Sequence, residues 1–192
     1  MLILSSAVMA AGPIEGKKFE FSTGFAFSSQ HYNYGDGDKE TWTVFQFPFR
    51  LGYFITKGLE IEPELLLTSE HYKYTSTDYS KSDSSTGWIL SGNLLYHFPL
   101  KNSPRWLPFV LAGYGFGNGD LEGTDVDRYY GTSPKTSLFN FGAGIKHTFG
   151  NIAALRFEYR FRIGNVKYSE GSTEYKDKVN FHTVMLGLSL FF

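Results

Sequence analysis

The chain has 192 residues, a formal net charge of -1 from 18 Lys+Arg against 19 Asp+Glu, and no cysteine. That length bounds the fold to one domain or two; the absent thiols exclude disulfide staples, thiolate metal sites and a Cys nucleophile; and the balanced charge excludes a general attraction to nucleic acid. Aromatic residues reach 18%, mostly Phe and Tyr at alternating positions, and the longest nearly apolar run, Trp106–Gly117, is shorter than the roughly 18 residues of a spanning helix, so helical membrane proteins are excluded as well.

Residues 1–11 read as the tail of an export signal. A short apolar stretch runs into small residues, with Val8 and Ala10, or Met9 and Ala11, spaced as at a cleavage site, but no Lys or Arg precedes it. Residues 12–192 then form a single β-barrel domain.

Along that domain the pattern has a period of two. The first strand sets Phe19, Phe21, Thr23, Phe25 and Phe27 on one face and Glu20, Ser22, Gly24, Ala26 and Ser28 on the other, and ends in the polar tip NYGDGDKE. The second sets Thr43, Phe45, Phe47, Phe49, Leu51 and Tyr53 against Gln46, Arg50 and Gly52, and a tight turn follows at Lys57 and Gly58. The third sets Leu59, Ile61, Pro63, Leu65 and Leu67 against Glu60, Glu62, Glu64 and Thr68; Pro63 lacks an N–H for the ladder and predicts a bulge there. After the polar stretch TSTDYSKSDSSTG, the fourth sets Trp88, Leu90, Gly92, Leu94, Tyr96 and Phe98 against Ser91, Asn93 and His97.

The fifth strand is apolar or glycine on both faces, with Trp106, Val110, Ala112, Tyr114 and Phe116 taken as its outer set. Past the longest connection, 118–135, the sixth sets Phe139, Phe141, Ala143, Ile145, His147 and Phe149 against Asn140, Gly142, Gly144 and Lys146. The seventh sets Leu155, Phe157, Tyr159, Phe161 and Ile163 against Arg156, Glu158, Arg160 and Arg162. A last polar tip, KYSEGSTEYKDK, leads to the eighth, whose Val184, Leu186, Leu188, Leu190 and Phe192 alternate with small or polar residues up to the C-terminus.

Eight strands joined alternately by long polar connections and short turns predict an all-β, eight-stranded antiparallel transmembrane barrel of up-and-down topology. Charge decides the side. The apolar faces carry no Asp, Glu, Lys or Arg, while the opposite faces carry Glu20, Arg50, Glu60, Glu62, Glu64, Lys146, Arg156, Glu158, Arg160 and Arg162. The alternative, a soluble lipocalin-type barrel, requires those ten residues to be its outer surface. Two aromatic belts are expected: Tyr32, Trp42, Tyr72, Tyr74, Trp88, Tyr114, Tyr168 and Tyr175 toward the long connections, and Phe19, Phe21, Tyr53, Phe98, Trp106, Phe149 and Phe192 toward the short turns.

The stretches LGYFITKGLEIEPELLL, LPFVLAGYGFG, FNFGAGIKHTFGNIAALRFEYRFR and HTVMLGLSLFF resemble small outer-membrane β-barrels of the OmpA/OmpX-like superfamily. The resemblance implies a location in the bacterial outer membrane, lipid and lipopolysaccharide as surroundings, and a terminal Phe192 read by the barrel assembly machinery. A monomer is expected, with no nucleic-acid partner.

An eight-stranded barrel leaves a lumen that side chains fill, so the near-balanced inward charges read as a paired network. The leading expectation is a structural or surface-interaction barrel with no catalytic, cofactor or metal site. A small channel or transporter is one alternative, with space at glycines 24, 52, 142, 144 and 187. A lipid A-modifying hydrolase is the other, resting on Ser69 and His71, two residues apart on one face but with no acid evident to orient the imidazole. His147 and His182 fall on strands that are not neighbours and suggest no metal pair, and the acidic residues Asp36, Asp38, Asp120, Glu122, Asp125 and Asp127 lack calcium-loop spacing.

Overall fold

A computed structural model describes residues 16–33, 38–76, 79–100, 102–118, 135–170 and 173–192. Eight antiparallel strands, β1 Phe19–Asn33, β2 Lys39–Phe54, β3 Leu59–Thr75, β4 Ser80–His97, β5 Trp106–Asn118, β6 Lys135–Phe149, β7 Ala153–Glu170 and β8 Thr173–Phe191, pair in chain order and close into a barrel. The proposed export segment at 1–11 lies outside the described residues.

The wall follows from the alternation. Aromatic and branched side chains pack well on a pleated surface, and here they stand on the outside: Phe27, Leu51, Phe139, Phe157 and Leu188 are all more than half exposed or close to it. Their partners in the pattern, Glu20, Glu60, Glu62, Lys146 and Arg160, have no accessible surface. The outward apolar stretches Phe19–Phe27 on β1, Leu59–Leu67 on β3 and Leu155–Ile163 on β7 each match the roughly 9–11 residues a tilted strand needs to cross hydrocarbon.

The strands continue well past that band. β1–β2 pairing runs up to Asn33–Lys39, β3–β4 pairing to Thr75–Ser80 and β7–β8 pairing to Glu170–Thr173. Much of the polar stretches expected to be loops is therefore hairpin. Ser, Thr, Tyr and Lys on both faces give no hydropathy alternation, yet the ladder extends through them by main-chain bonding, with cross-strand side-chain contacts such as His31–Thr41 beside it. Ser76 donates its N–H to the carbonyl of Tyr79 to turn the β3–β4 tip.

Pro63 makes no bulge. The β2–β3 register is the same at Arg50–Glu64 and at Tyr53–Ile61, with the rungs between them unpaired, and β3–β4 pairing passes through Pro63–Gly92 without a step. The missing N–H interrupts the ladder toward β2 and adds no residue to it.

The belt toward the short turns forms in clusters: Phe19 lies 5.3 Å from Tyr53 and 5.9 Å from Phe192, and Trp106 meets His147 in a tilted contact at 4.3 Å. The other belt is corrected. Trp88 and Tyr114 face outward, but Trp42 is buried, lies 4.7 Å from Tyr72, and shares its side of β2 with Gln46 and Arg50. Tyr72 and Tyr74 share the inner side of β3 with Glu70, and Tyr74 donates its hydroxyl to Asp38. Side chains of Tyr168 and Tyr175 lie outside the described part.

Closure joins the two chain ends. β1 pairs β8 from Glu20–Phe191 to Phe25–Leu186, and Phe192 adds a pair of bonds below, donating to the Phe19 carbonyl at 3.0 Å and accepting from the Phe19 N–H at 3.0 Å. A barrel closed in this way unfolds slowly once in detergent. Unheated protein is expected to migrate differently from boiled protein on a gel and to give a strand-dominated far-UV circular dichroism spectrum; a soluble, detergent-independent monomer would contradict the architecture.

Candidate functional site

The lumen is built from one wall of acids and one of bases. β3 carries Glu60, Glu62 and Glu64 inward at alternate positions, and β7 carries Arg156, Glu158, Arg160 and Arg162 inward in the same way. The β2–β3 register sets Arg50 directly beside Glu64, and Arg50 Nε donates to Glu64 Oε2 at 2.6 Å while lying 3.8 Å from Glu62.

Across the lumen Arg156 grips Glu62 with both terminal nitrogens, Nη2 to Oε1 at 3.1 Å, and Arg160 Nη1 donates to Glu64. Glu158 stands between the two arginines on its own strand. It accepts from Arg156 Nε at 2.8 Å and from Arg160 Nε at 2.6 Å, and Nη2 of each arginine adds an ion pair, at 2.6 Å and 2.5 Å. Paired, planar donors of this kind suit carboxylates and hold both partners in one geometry.

Nearer the short turns, Lys146 bonds Glu20 at 2.5 Å and Glu60 at 3.3 Å, and His97 Nε2 donates to the same Glu60 oxygen at 2.6 Å. Oxygens of Glu20, Glu60 and Glu62 come within 4.8 Å of one another, close enough to grip an ion. The Lys146 ammonium bonds two of these acids and the Arg156 guanidinium bonds the third, so the chain supplies its own cations to this cluster.

Apolar layers bracket the charges. Phe54, Leu107, Ala154 and Phe191 close the short-turn end, Leu66, Ile89, Leu138 and Phe181 form a layer on the other side, and Phe109 offers its ring to Arg156 at 4.8 Å and Lys146 at 5.4 Å. Space beside two of the inward glycines is filled. A Cβ at Gly52 would strike the Glu60 carboxylate and one at Gly144 the Phe109 ring, so the room they give is taken by lumen side chains.

Arg162 stands apart. It is 2% exposed, its Nη1 donates to Gln46 Oε1 at 3.2 Å and Thr183 Oγ1 at 3.1 Å, and among the described residues it has no carboxylate partner and its Nη2 no acceptor. His97, Gln46 and Thr183 were not foreseen as parts of this site. Gln46 shares the inward side of β2 with Arg50, while His97 and Thr183 stand on β4 and β8, which carry no expected member of the network, so the parity of their strands was the available signal.

An outward apolar band, a closed up-and-down wall and an inward charge cluster are the marks of a barrel that lives in lipid. A family model described as outer membrane protein beta-barrel domain matches residues 1–192. The chain belongs to this family. No curated protein matches the sequence. Among solved structures it resembles Neisserial surface protein A, 15% identical over 91% of this chain and 96% of that one with a TM-score of 0.56. It also resembles the outer membrane protein OprG from Pseudomonas aeruginosa, 13% identical over 92% and 97% with a TM-score of 0.58. The protein is an outer-membrane β-barrel, and its short turns mark the periplasmic side.

The remaining candidates fall on the outer wall of this barrel. His71 bonds Ser84 across the β3–β4 ladder, Nδ1 to Oγ at 2.9 Å, and not Ser69. The imidazole has no carboxylate beside it among the described residues. His147 packs in the periplasmic aromatic belt, while His182 Nδ1 and the Tyr159 hydroxyl share a hydrogen bond of 2.5 Å on another part of the wall. Asp36, Asp120, Glu122, Asp125 and Asp127 lie outside the described residues.

Removing one member of a fully buried pair leaves its partner's charge stranded. Replacing Glu64 by Ala is expected to cost on the order of 3 to 5 kcal/mol, because Arg50 and Arg160 both lose an acceptor. In urea unfolding of refolded protein, the Arg50→Ala/Glu64→Ala double variant should lose much less than the sum of the single losses. Additive effects of about 1 kcal/mol or less would mean that water reaches the lumen and screens the orphan.

Proposed function

We propose that the protein is a non-conducting, monomeric barrel that acts as a surface mount: a wall stiffened from within by its ionic plug, holding extended hairpins above the outer leaflet for contacts outside the cell. The observation that carries this reading is the continuous charge network from Glu20 and Lys146 to Glu64 and Arg160, bracketed by apolar layers. Ions crossing it would have to break buried pairs in sequence, a large barrier compared with thermal energy.

Support against a channel comes from the filled space at Gly52 and Gly144. A non-enzymatic role is favoured by His71, which bonds Ser84 without an orienting acid. The upper wall suits anionic lipid headgroups: Lys135, Lys167 and Lys176 stand in one register across β6, β7 and β8, above the last apolar row at Phe139 and Ile163. A row of cations at this height would attract the phosphate groups of lipopolysaccharide.

Planar-bilayer recording on refolded wild-type protein is expected to show no discrete conductance steps. Regular single-channel openings would overturn the mount and favour the transporter alternative.

The terminal residue serves assembly in this reading. Phe192 lies 60% exposed at the periplasmic rim and joins the chain ends, where assembly machinery can read it. Deleting it should reduce insertion in cells several-fold while changing the unfolding of already folded protein little. Equal insertion of the truncated chain would remove the recognition role.

A further inference from the structure

The β1–β8 seam zips only part-way. Its six rungs end at Phe25–Leu186, although β1 goes on to Asn33, paired with β2, and β8 comes down from Thr173, paired with β7. The same register would next bring Ala26 to Met185, Phe27 to Val184 and Ser28 to Thr183. A cavity of about 200 Å³ stands in place of those rungs, lined by Ala26, Phe27, Ser28, Gln46, Thr183 and Val184 together with Val44 and His182.

Depth makes this gap unusual. Phe27 and Val184 are each 55% exposed and belong to the outward apolar band, so the seam parts while still at hydrocarbon level. Strand edges facing lipid lack the water that would otherwise bond them, and such edges persist only where something polar meets them.

Behind the cavity lies the one lumen arginine without a carboxylate among the described residues. Gln46 and Thr183 line the cavity on one side and accept the Arg162 guanidinium on the other. Among the described residues this buried cation has no anion at bonding distance, Glu64 and Glu158 acting on it only from farther off, and its Nη2 lacks any acceptor. The space is below the roughly 300–1,000 Å³ that encloses a whole small ligand. It takes one end of a molecule, and the rest must leave through the seam, where Phe27 and Val184 lead into the bilayer.

We propose that this seam cavity binds a single-chain amphipathic carboxylate, with the head held at Gln46 and Thr183 against the charge of Arg162 and the alkyl tail passing between β1 and β8 into the outer leaflet. Three features then share one explanation: the halted ladder, the polar back wall and the unpaired guanidinium. A long-chain alcohol has the tail without the charge and should bind poorly. A head carrying a carboxylate would also supply acceptors to the open strand edges.

Equilibrium binding of cis-parinarate, a fluorescent fatty carboxylate, to the refolded full chain in non-ionic detergent tests this. Wild type should bind saturably and be competed by palmitate about tenfold or more better than by hexadecanol. Arg162→Met should weaken parinarate binding about tenfold or more, and Ala26→Leu, which fills the cavity and alters no charge, should weaken it as much. Gel heat-modifiability reports whether each variant folds, and Ala26→Leu carries the test if Arg162→Met does not. Equal competition by acid and alcohol, or wild-type binding by either folded variant, would overturn the proposal.

Discussion

Hydrocarbon offers nothing to a backbone N–H or C=O, and this single lack shapes the molecule. A strand at membrane depth must bond to a neighbour on each side, or to something polar in the neighbour's place, so the wall has to close, and closure falls to β1 and β8. Once the wall is closed, its outer face is committed to lipid and the inner face becomes the only place for charge. The inversion of the usual protein, with Phe and Leu outside and Arg and Glu within, is a consequence of that closure.

The same closure makes the lumen demanding. A charge with no access to water needs an opposite charge at bonding distance, and the barrel meets this across facing strands as well as between neighbouring ones. Arg156 on β7 reaches Glu62 on β3, Arg160 reaches Glu64, and Glu158 holds the two arginines apart from each other. Such pairs add little net stability over apolar packing, yet they penalise any arrangement that separates them. They fix the register of opposite walls, which main-chain ladders between adjacent strands cannot do.

Much of this was legible in the sequence, for a physical reason: period-two alternation is a direct image of which face meets lipid. The division of Phe157, Tyr159 and Phe161 from Arg156, Glu158 and Arg160 needs nothing beyond parity. Parity also would have placed Trp42 and Tyr72 inside, with Gln46 and Glu70, had it been weighed above the habit of aromatics to sit at interfaces. β5 was unclear because its inner face, Leu107, Phe109 and Leu111, packs as apolar filling against the charged side of the lumen. The isolation of Arg162 was not legible, since it depends on relative height across the barrel, a quantity no single strand encodes. The hairpin extensions leave no period-two image, because most of their residues on both faces meet water.

Those extensions separate two kinds of information. Between Thr75–Ser80 and the apolar band, the β3–β4 ladder is held by main-chain bonds that are the same whatever side chains hang from them. Past the buried Glu70, most residues there answer to neither the lipid rule outside nor the charge-matching rule inside. Sequence drift in this rim can therefore accumulate without touching the fold, and the face the cell shows to its surroundings can be rewritten over generations while the part in the membrane stays fixed.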